Sequence, residues 1–403
     1  MLLIKKNLFG LREGRFLNLP SRRPNNLFLI ILPMKKAPLL LTLGLAGLFL
    51  LALTTRKLQN PYGLIDGTPD IKSINALTFG PDGVLFIGDG KSASVFAIDT
   101  KDAQRVETPK PVEIKNIDQK IAALLGTTVD NITIQDIAVN PISKNVYCAV
   151  QHSDGTPVLL KVEENNLTAV SLKDVPFSTL TLANVPSADA KNQRGESMRI
   201  ASISDMGFAD GKLLVSGLSN QEFGSTFRSI PFPFKNVQDQ ASLEIYHAAH
   251  GKYETMAPIR TFTTTEIKGK KYVLASYTCT PLVLFPLDEM RAGSHVKGRT
   301  VAEMGSGNSP LDMITLKKGN ESFVLMANSS RPVFKVKAKN IEAYQGSLTT
   351  PVEESFATAG VDFVSLPVTN VTQIDKLDDS RMVLIQRRSN GSLDLWTSSD
   401  RYL

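Results

Sequence analysis

A threefold pattern of short apolar segments recurs six times along this chain and constrains its fold more than any other feature. Each repeat opens with a short apolar segment, often introduced by Asn or Asp, and two further segments follow. The opening residue and the start of the third segment are 20 to 22 residues apart in all six repeats. Short apolar segments separated by turns predict β-strands. Repeats of roughly 50–70 residues built from three or four strands are typical of a β-propeller.

The six repeats can be read directly from the printed sequence. Their opening residues are Asn75, Asp136, Asp205, Arg260, Asp312 and Thr372. Their second segments are 84–89, 146–150, 213–217, 272–277, 323–327 and 382–386. Their third segments begin near Val95, Val158, Thr226, Leu282, Val333 and Leu393. We therefore predict an all-β chain with six blades, or seven if 167–185 or the insertion 235–256 contains a further sheet.

Three regions of the chain differ in composition. Residues 1–33 precede a second methionine, Met34, and are interpreted as a non-native or disordered extension. Residues 34–57 begin with Met-Lys-Lys and continue with the apolar run 37–53, which is typical of a signal peptide or a membrane anchor. Residues 62–403 hold the six repeats and are predicted to form the propeller.

The leader also predicts where the propeller works. A signal peptide or anchor of this type sends the repeats out of the cytoplasm, so we expect a periplasmic or extracellular protein. No clean cleavage site follows the apolar run, and the two alternatives of a cleaved signal and an inner-membrane anchor through 37–53 stay open. The choice between Met1 and Met34 as the start of translation is open as well.

The excess of positive over negative charge is confined to the beginning of the chain. The formal net charge is +6, but the first 60 residues contain ten Lys or Arg and one Glu. The remainder contains 35 basic and 38 acidic residues, a net charge of −3. Nucleic-acid binding depends on clustered Lys and Arg side chains that neutralise phosphates. The composition of the repeats therefore argues against a nucleic-acid partner.

The sixth repeat is too short to complete its own sheet. Only about ten residues follow the start of its third segment, which leaves little room for a fourth strand. An unpaired sheet edge promotes aggregation, so a propeller must close its last blade. We expect the segment 62–74 to supply the missing outer strand or otherwise to lock the ring.

The two cysteines are predicted to be buried free thiols. Cys148 lies on the second segment of repeat two, and Cys279 lies at the end of the second segment of repeat four. A disulfide requires Cα atoms roughly 5–6 Å apart, and blades that are not adjacent seldom bring such strands that close. A disulfide between them is the less favoured alternative.

The repeat geometry predicts where a site would lie. First strands of a propeller line its central channel, and each second strand ends beside the beginning of the first because the two are antiparallel. We call the face at which the first strands begin the upper face. Calcium binds six to eight oxygen ligands. An axial calcium site is therefore predicted from the openers Asn75, Asp136, Asp205 and Asp312.

The opening residues also allow explanations other than a metal site. Asp and Asn before a strand commonly accept backbone N–H groups and close a turn. Arg260 is itself an opener, and it could form an ion pair with the carboxylates in place of a metal. The remaining upper-face candidates for contact with a ligand are Asp89, Arg260, Asn328 and Arg387.

Histidines and one cysteine supply further candidates on the upper face. His152, His250 and Glu254 are candidates for carrying protons in catalysis. His247 and His250 are three positions apart, a spacing that can bind a transition metal, although a polar loop rim explains it as well. Cys279 could act as a thiolate nucleophile with His250 as its base, or could be a small core residue.

The first repeat carries a family resemblance. The segment from Asn75 to Asp89, with its Gly-Pro-Asp-Gly turn, resembles blades of the NHL-repeat and regucalcin/gluconolactonase-like propellers. The resemblance covers one blade well and the other five by pattern alone. It implies a central divalent cation, held by Glu, Asn and Asp, that polarises a lactone or ester. The matching ligand positions here are Asn75, Asp136, Asp205 and Asp312.

These observations lead to one functional prediction and two alternatives. The prediction is an exported propeller that binds a small molecule or a protein partner on its channel face, with no catalytic step assigned. The first alternative is a calcium-dependent lactonase or esterase, in which the metal activates water. The second is a redox-associated propeller that holds a transition metal through His247, His250 or Cys279. Apart from calcium, no cofactor is predicted.

Overall fold

A computed structural model describes residues 61–398, which form six β-sheets of four to six strands. The predicted extension 1–33 and the leader 34–57, including the run 37–53, lie outside the described residues. Within the described residues, no helix combines the length and the apolar composition needed to cross a membrane.

Blades are numbered by the order of their first strands along the chain. In each blade the first strand lies at the channel, and the other strands follow it outward. Blade 1 contains Ala76–Phe79, Val84–Asp89, Ser94–Asp99, Val175–Thr181 and Ile65–Gly67. Blade 2 contains Ile132–Val139, Val146–His152, Pro157–Glu163 and Asn166–Ala169. Blade 3 contains Asp205–Ala209, Lys212–Leu218, Ser225–Pro231 and Asp239–His247, and its last strand also pairs with Lys252–Glu254 and His295–Lys297.

The remaining three blades follow the same plan. Blade 4 contains Thr261–Ile267, Lys270–Ser276, Pro281–Pro286, Arg299–Glu303 and Ala359–Gly360. Blade 5 contains Pro310–Lys318, Glu321–Asn328, Phe334–Lys337 and Val364–Ser365. Blade 6 contains Val371–Lys376, Met382–Arg387, Leu393–Thr397 and Glu113–Ile114. The helices of the described chain are the α-helices Ile117–Leu124 and Ala338–Ala343 and the short 3-10 helices Pro81–Gly83, Val129–Asn131, Ile200–Ser202, Ala248–His250 and Leu287–Glu289.

The prediction of an all-β, six-bladed propeller is confirmed. Each predicted second segment coincides with an observed second strand to within about two residues at either end. The seven-blade alternative is wrong, because 167–185 supplies the outer strands of blades 2 and 1. The segment 235–256 is likewise no insertion, because it forms the outer strand of blade 3 and a short hairpin.

Tight turns connect the inner strands as the sequence requires. Asp210 and Gly211 join the first two strands of blade 3 and both adopt positive φ, at 52° and 72°. Two consecutive positive φ values define the type I′ turn that suits the twist of a hairpin. The second strands can then be fully buried, as Val84–Asp89 is along its whole length.

The blades are not arranged around the ring in their order along the chain. The inner strands pack in the closed order of blades 1, 2, 6, 5, 4 and 3. The hydrophobic core follows the same order, because each of the six buried clusters fills the space between two blades that are adjacent in this ring. Blade 2 therefore lies between blades 1 and 6.

This order requires outer strands to be exchanged between repeats. After blade 1 the chain reaches blade 6, where Ile114 pairs with Leu395, and only then enters blade 2. After blade 2 it returns to blade 1, to which it adds Val175–Thr181. The expectation that 62–74 completes blade 6 is wrong, because Ile65–Gly67 of that segment pairs with the outer strand of blade 1.

Candidate functional site

Four aspartates from the inner strands line the channel. Asp136, Asp205 and Asp312 were predicted from the openers, and Asp375 was missed because Thr372 was taken as the opener of its repeat. One carboxylate oxygen of each accepts the N–H of the next residue in its own strand. The other accepts an N–H of an adjacent blade at 2.6 to 2.8 Å, with the donors Leu77 for Asp136, Phe262 for Asp205, Ile374 for Asp312 and Val139 for Asp375.

The environment of these four carboxylates disfavours their charged form. Each is half-buried on an inner strand that packs against the inner strands of both neighbouring blades. Burial is the main cause that raises the pKa of Asp205 to about 7 and that of Asp375 to about 6. Burial, together with repulsion from the other axial carboxylates, also raises the pKa of Asp136 and Asp312 well above the ordinary value.

The axial carboxylates do not form a ready calcium site in this geometry. Among residues 61–398, no three of them bring an oxygen each to within 4.8 Å of the others. A calcium ion with bonds of roughly 2.3–2.6 Å would need them closer together. Asn75, the fourth predicted ligand, accepts N–H and O–H bonds from Gly90 and Ser73 through its Oδ1. The calcium site stays a prediction.

Two of the predicted ligand contacts are buried and hold turns. Asp89 is fully buried and accepts four hydrogen bonds, from the backbone N–H groups of Lys72 and Ser92 and from the hydroxyls of Ser73 and Ser92. Asn328 is 2% exposed and donates to the backbone oxygen of Pro332 at 2.8 Å. Neither side chain offers a surface to a ligand in this conformation.

The two predicted arginine contacts are exposed. The guanidinium of Arg260 forms no ion pair with any residue of the described chain, so the alternative in which it neutralises the axial carboxylates has no contact to support it. Arg387 donates from Nη1 to the backbone oxygen of Gly391 at 3.1 Å. Both remain accessible to a partner on the upper face.

A polar groove opens on the upper face between blades 1 and 2. It has a volume of about 370 Å³, and its lining includes Asn75, Lys91, Gln135, Gln151 and His152. Asn75 immediately precedes an inner strand and Gln135 lies in one, so the groove reaches the mouth of the channel. Gln135 was missed in the sequence, because its neighbour Asp136 carried the stronger signal.

His152 lies at the wall of this groove and is tied to its neighbours. Its Nε2 is 3.2 Å from the hydroxyl of Thr127, and its Nδ1 is 3.0 Å from a carboxylate oxygen of Asp154. The groove thus contains one titratable imidazole with a carboxylate beside it. Its role as a proton carrier stays a prediction.

A second polar cluster lies at the upper end of the outer strand of blade 3. Glu254 connects two histidines: its carboxylate oxygens are 3.0 Å from Nδ1 of His247 and 2.8 Å from Nδ1 of His250. The two imidazole rings overlap, with centroids 3.8 Å apart. His247 is 1% exposed and His250 39% exposed. The predicted pair is therefore brought together, and its partner is Glu254 rather than Cys279.

The protonation of this cluster follows from its carboxylate. Burial alone would raise the pKa of Glu254, but the hydrogen bonds and charges of His247 and His250 outweigh it and lower the pKa to about 2. An ionised carboxylate only accepts hydrogen bonds, so both Nδ1 atoms carry a hydrogen. His247 then has a buried Nε2 with no partner in the described chain, which costs roughly 1–3 kcal/mol.

Two further groups near this cluster were missed in the sequence. Glu303 is fully buried and accepts the N–H of Ala249 at 3.1 Å, while its Oε1 has no partner among the described residues. Burial and the charge of Glu254 raise its pKa to about 7. The buried hydroxyl of Tyr277 lies beside Ser225 without a hydrogen bond of good geometry. No repeat position or spacing distinguishes either residue in the sequence.

Both cysteines are free, as predicted, but the expected burial is wrong for Cys279, which follows the end of its strand in a turn. Cys148 is buried, and burial raises the pKa of its thiol to about 12. Cys279 is partly exposed and, with Thr280, forms a turn in which both residues have positive φ, at 68° and 60°. Side chains larger than glycine adopt this conformation at a cost. Cys279 does not join the His247–His250–Glu254 cluster.

Comparison with known proteins finds solved structures of similar fold but does not assign the chain to a family. No family model and no curated protein matches the chain. Similar solved structures include the PQQ-bound aldose sugar dehydrogenase of Streptomyces coelicolor, with a TM-score of 0.35, 10% identity and coverage of 82% of this chain and 95% of that chain. Drosophila plexin A in complex with semaphorin 1b gives a TM-score of 0.37, 10% identity and coverage of 83% and 86%.

A third similar structure is a glycoside hydrolase. The GH43 endo-arabinanase of Bacillus licheniformis gives a TM-score of 0.33, 10% identity and coverage of 67% of this chain and 94% of that chain. TM-scores this low carry no argument about function. The six-bladed assignment rests on the sheets of the chain itself.

Proposed function

We propose that this chain is a ligand-binding propeller that holds a small polar molecule in the upper-face groove between blades 1 and 2, with no catalytic step assigned. The observation that carries the proposal is the set of free hydrogen-bonding groups in that groove. The side-chain amide of Gln135 and the Nδ2 of Asn75 have no partner among residues 61–398. Concave sites with a few convergent polar groups are where small molecules bind.

The chemistry of the lining indicates the class of ligand. Amides donate and accept hydrogen bonds. The ammonium of Lys91 adds a positive charge, and its one hydrogen-bond partner among the described residues is the backbone oxygen of Gly155 at 3.2 Å. The carboxylate of Asp130 also lines the groove and accepts hydrogen bonds, so hydroxyl groups and single carboxylates suit this lining. We therefore propose a hydroxylated or carboxylated small molecule rather than a hydrophobic one.

The test is binding by the purified full-length protein to a panel of monosaccharides and sugar acids, measured by calorimetry. We expect at least one compound to bind, and Gln135→Leu to weaken it about tenfold, the effect of roughly 1.4 kcal/mol. Gln221→Leu, on the exposed upper face of blade 3, is the matched control and should bind as the parent does. No binding by any compound, or equal binding by both variants, would contradict the proposal.

A calcium-dependent lactonase or esterase is the second candidate function. The carboxylates that line the channel favour it, because a divalent cation would offset the repulsion between them. The groove also lies close to the mouth of the channel. Calcium titration of the protein, followed by a lactone and ester screen with and without chelator, tests it. Turnover that the chelator abolishes would support this candidate, and absence of both binding and turnover would remove it.

The setting of this activity and the finer family assignment are proposals too. The leader supports export to the periplasm or the cell exterior, and the first repeat supports kinship with the NHL-repeat and regucalcin/gluconolactonase-like propellers. Fractionation of cells that express the full-length chain tests the first. Detection of the protein in the cytoplasmic fraction alone would contradict export.

A further inference from the structure

We propose that His247, His250 and Glu254 bind one divalent transition-metal ion, with zinc as the best fit, through one ring nitrogen of each histidine and the carboxylate of Glu254. These three residues form the only group of three or more His, Cys, Asp or Glu in residues 61–398 whose ligand atoms all lie within 4.8 Å of one another. The site is separate from the groove between blades 1 and 2.

The spacing of the ligand atoms suits a metal closely. The two nitrogen-to-oxygen distances are 3.0 and 2.8 Å. Zinc bonds of 2.0–2.2 Å in a tetrahedral arrangement place ligand atoms about 3.3–3.6 Å apart. Once each ring hydrogen has moved from Nδ1 to Nε2, small outward movements of the three side chains would therefore admit the ion between the two Nδ1 atoms and the carboxylate. Two nitrogens and one carboxylate are a common zinc ligand set, and they leave a fourth position for water or a substrate.

The backbone around the site is held from neighbouring elements. Ala249, in the short helix between the two histidines, donates its N–H to the buried carboxylate of Glu303 on blade 4. The preceding Ala248 accepts the N–H of Val352 at 2.9 Å. Glu254 lies on the strand that pairs back onto the end of the histidine strand, and Ile245 is its partner in register. Metal sites gain affinity when their ligands are positioned before binding, so this anchoring favours the proposal.

Burial distinguishes this cluster from an ordinary surface ion pair. His247 is almost fully enclosed, and its Nε2 finds no hydrogen-bond partner in the described chain. His250 is partly exposed and leaves a path from solvent to the site. The nitrogen ligands select zinc, nickel, copper or cobalt over calcium and magnesium, which prefer all-oxygen sites.

The matched control is another histidine–glutamate pair on the same blade. His295 contacts Glu244 at 3.0 Å but has no second histidine beside it. The experiment uses the full-length protein, stripped with a chelator and titrated with zinc by calorimetry and with cobalt by visible absorption. The parent protein should bind one equivalent of each and give the intense absorption of tetrahedral cobalt.

The variants decide the assignment. His250→Ala and Glu254→Gln should weaken zinc binding by more than roughly 100-fold, and His295→Ala should leave it unchanged. His250 is exposed enough for its alanine variant to fold, so a folding defect in Glu254→Gln would not stop the test. Absence of stoichiometric binding by the parent, equal binding by His250→Ala, or equal loss in His295→Ala would overturn the proposal. Each of these outcomes leaves ligand binding in the groove, tested with Gln135→Leu, unaffected.

Discussion

The Oδ2 atom of Asp375 on blade 6 accepts the backbone N–H of Val139 on blade 2 at 2.6 Å. The two residues are 236 positions apart, yet their strands are neighbours because blade 2 lies between blades 1 and 6 in the ring. Asp136, Asp205 and Asp312 make the same bond to an adjacent blade. The channel-lining carboxylates therefore join the inner strands of the propeller.

Removing one of these hydrogen bonds between adjacent blades should destabilise the propeller. In Asp375→Ala the N–H of Val139 loses its acceptor in a buried position, so we expect the free energy of unfolding to fall by about 1–3 kcal/mol. Chemical denaturation measures it. The matched control is Asp379→Ala. Asp379 is exposed, and within residues 61–398 its carboxylate forms an ion pair with Lys376 alone, so its loss should cost about 0.5 kcal/mol or less. Equal effects of the two substitutions would contradict the role of Asp375.

The axial carboxylates should also make stability depend on pH. Burial raises the pKa of Asp205 to about 7, above its value in the unfolded chain, so the folded state binds the proton more tightly. Its contribution to stability is therefore present at pH 4 and is lost as the pH rises through 7. Asp205→Asn removes this titration, and the variant should gain stability relative to the parent by at least about 1 kcal/mol between pH 5 and 8. A difference that stays constant across this range would contradict a folded-state pKa of Asp205 near 7.

The sequence predicted the blades well because their signal is local. The apolar strands and Gly-containing turns of a single hairpin need no information from elsewhere in the chain, and the second strand Val84–Asp89 was found with its correct limits. The outer strands could not be assigned in this way. Glu113–Ile114 is two residues long, and its partner Leu395 lies at the other end of the chain. Only the ring order determines that pairing.

The candidate site was predicted in part for the same reason. His247 and His250 were visible as a close pair, and the hairpin that returns Glu254 to them is local. Glu303 was not visible, because it reaches the cluster from another blade. The aspartate openers were correctly placed at the channel, but the sequence could not tell whether their oxygens would face a metal or the N–H groups of the next blade.

The outer strand of blade 6 offers a test of the ring order. Ile114 is 1% exposed and belongs to the buried cluster between blades 2 and 6, so Ile114→Ala should cost about 2–4 kcal/mol. Ile65, on the edge strand of blade 1, is 74% exposed, and Ile65→Ala should change the unfolding free energy little. Urea denaturation of both variants makes the comparison. A larger loss for Ile65→Ala than for Ile114→Ala would contradict the burial of Ile114 between blades 2 and 6.

The two thiols should differ sharply in reactivity, which tests the packing of blade 2. Cys148 has no exposed surface, and burial raises the pKa of its thiol to about 12, so almost none of it is thiolate at pH 8. Cys279 is partly exposed in its turn on the upper face. We expect iodoacetamide to alkylate Cys279 in the native protein and to reach Cys148 only after denaturation, as mass spectrometry of peptides would detect. Cys279→Ser should abolish native labelling while keeping the fold. If Cys148 reacted in the native protein as fast as Cys279, blade 2 would not be packed between blades 1 and 6 as described.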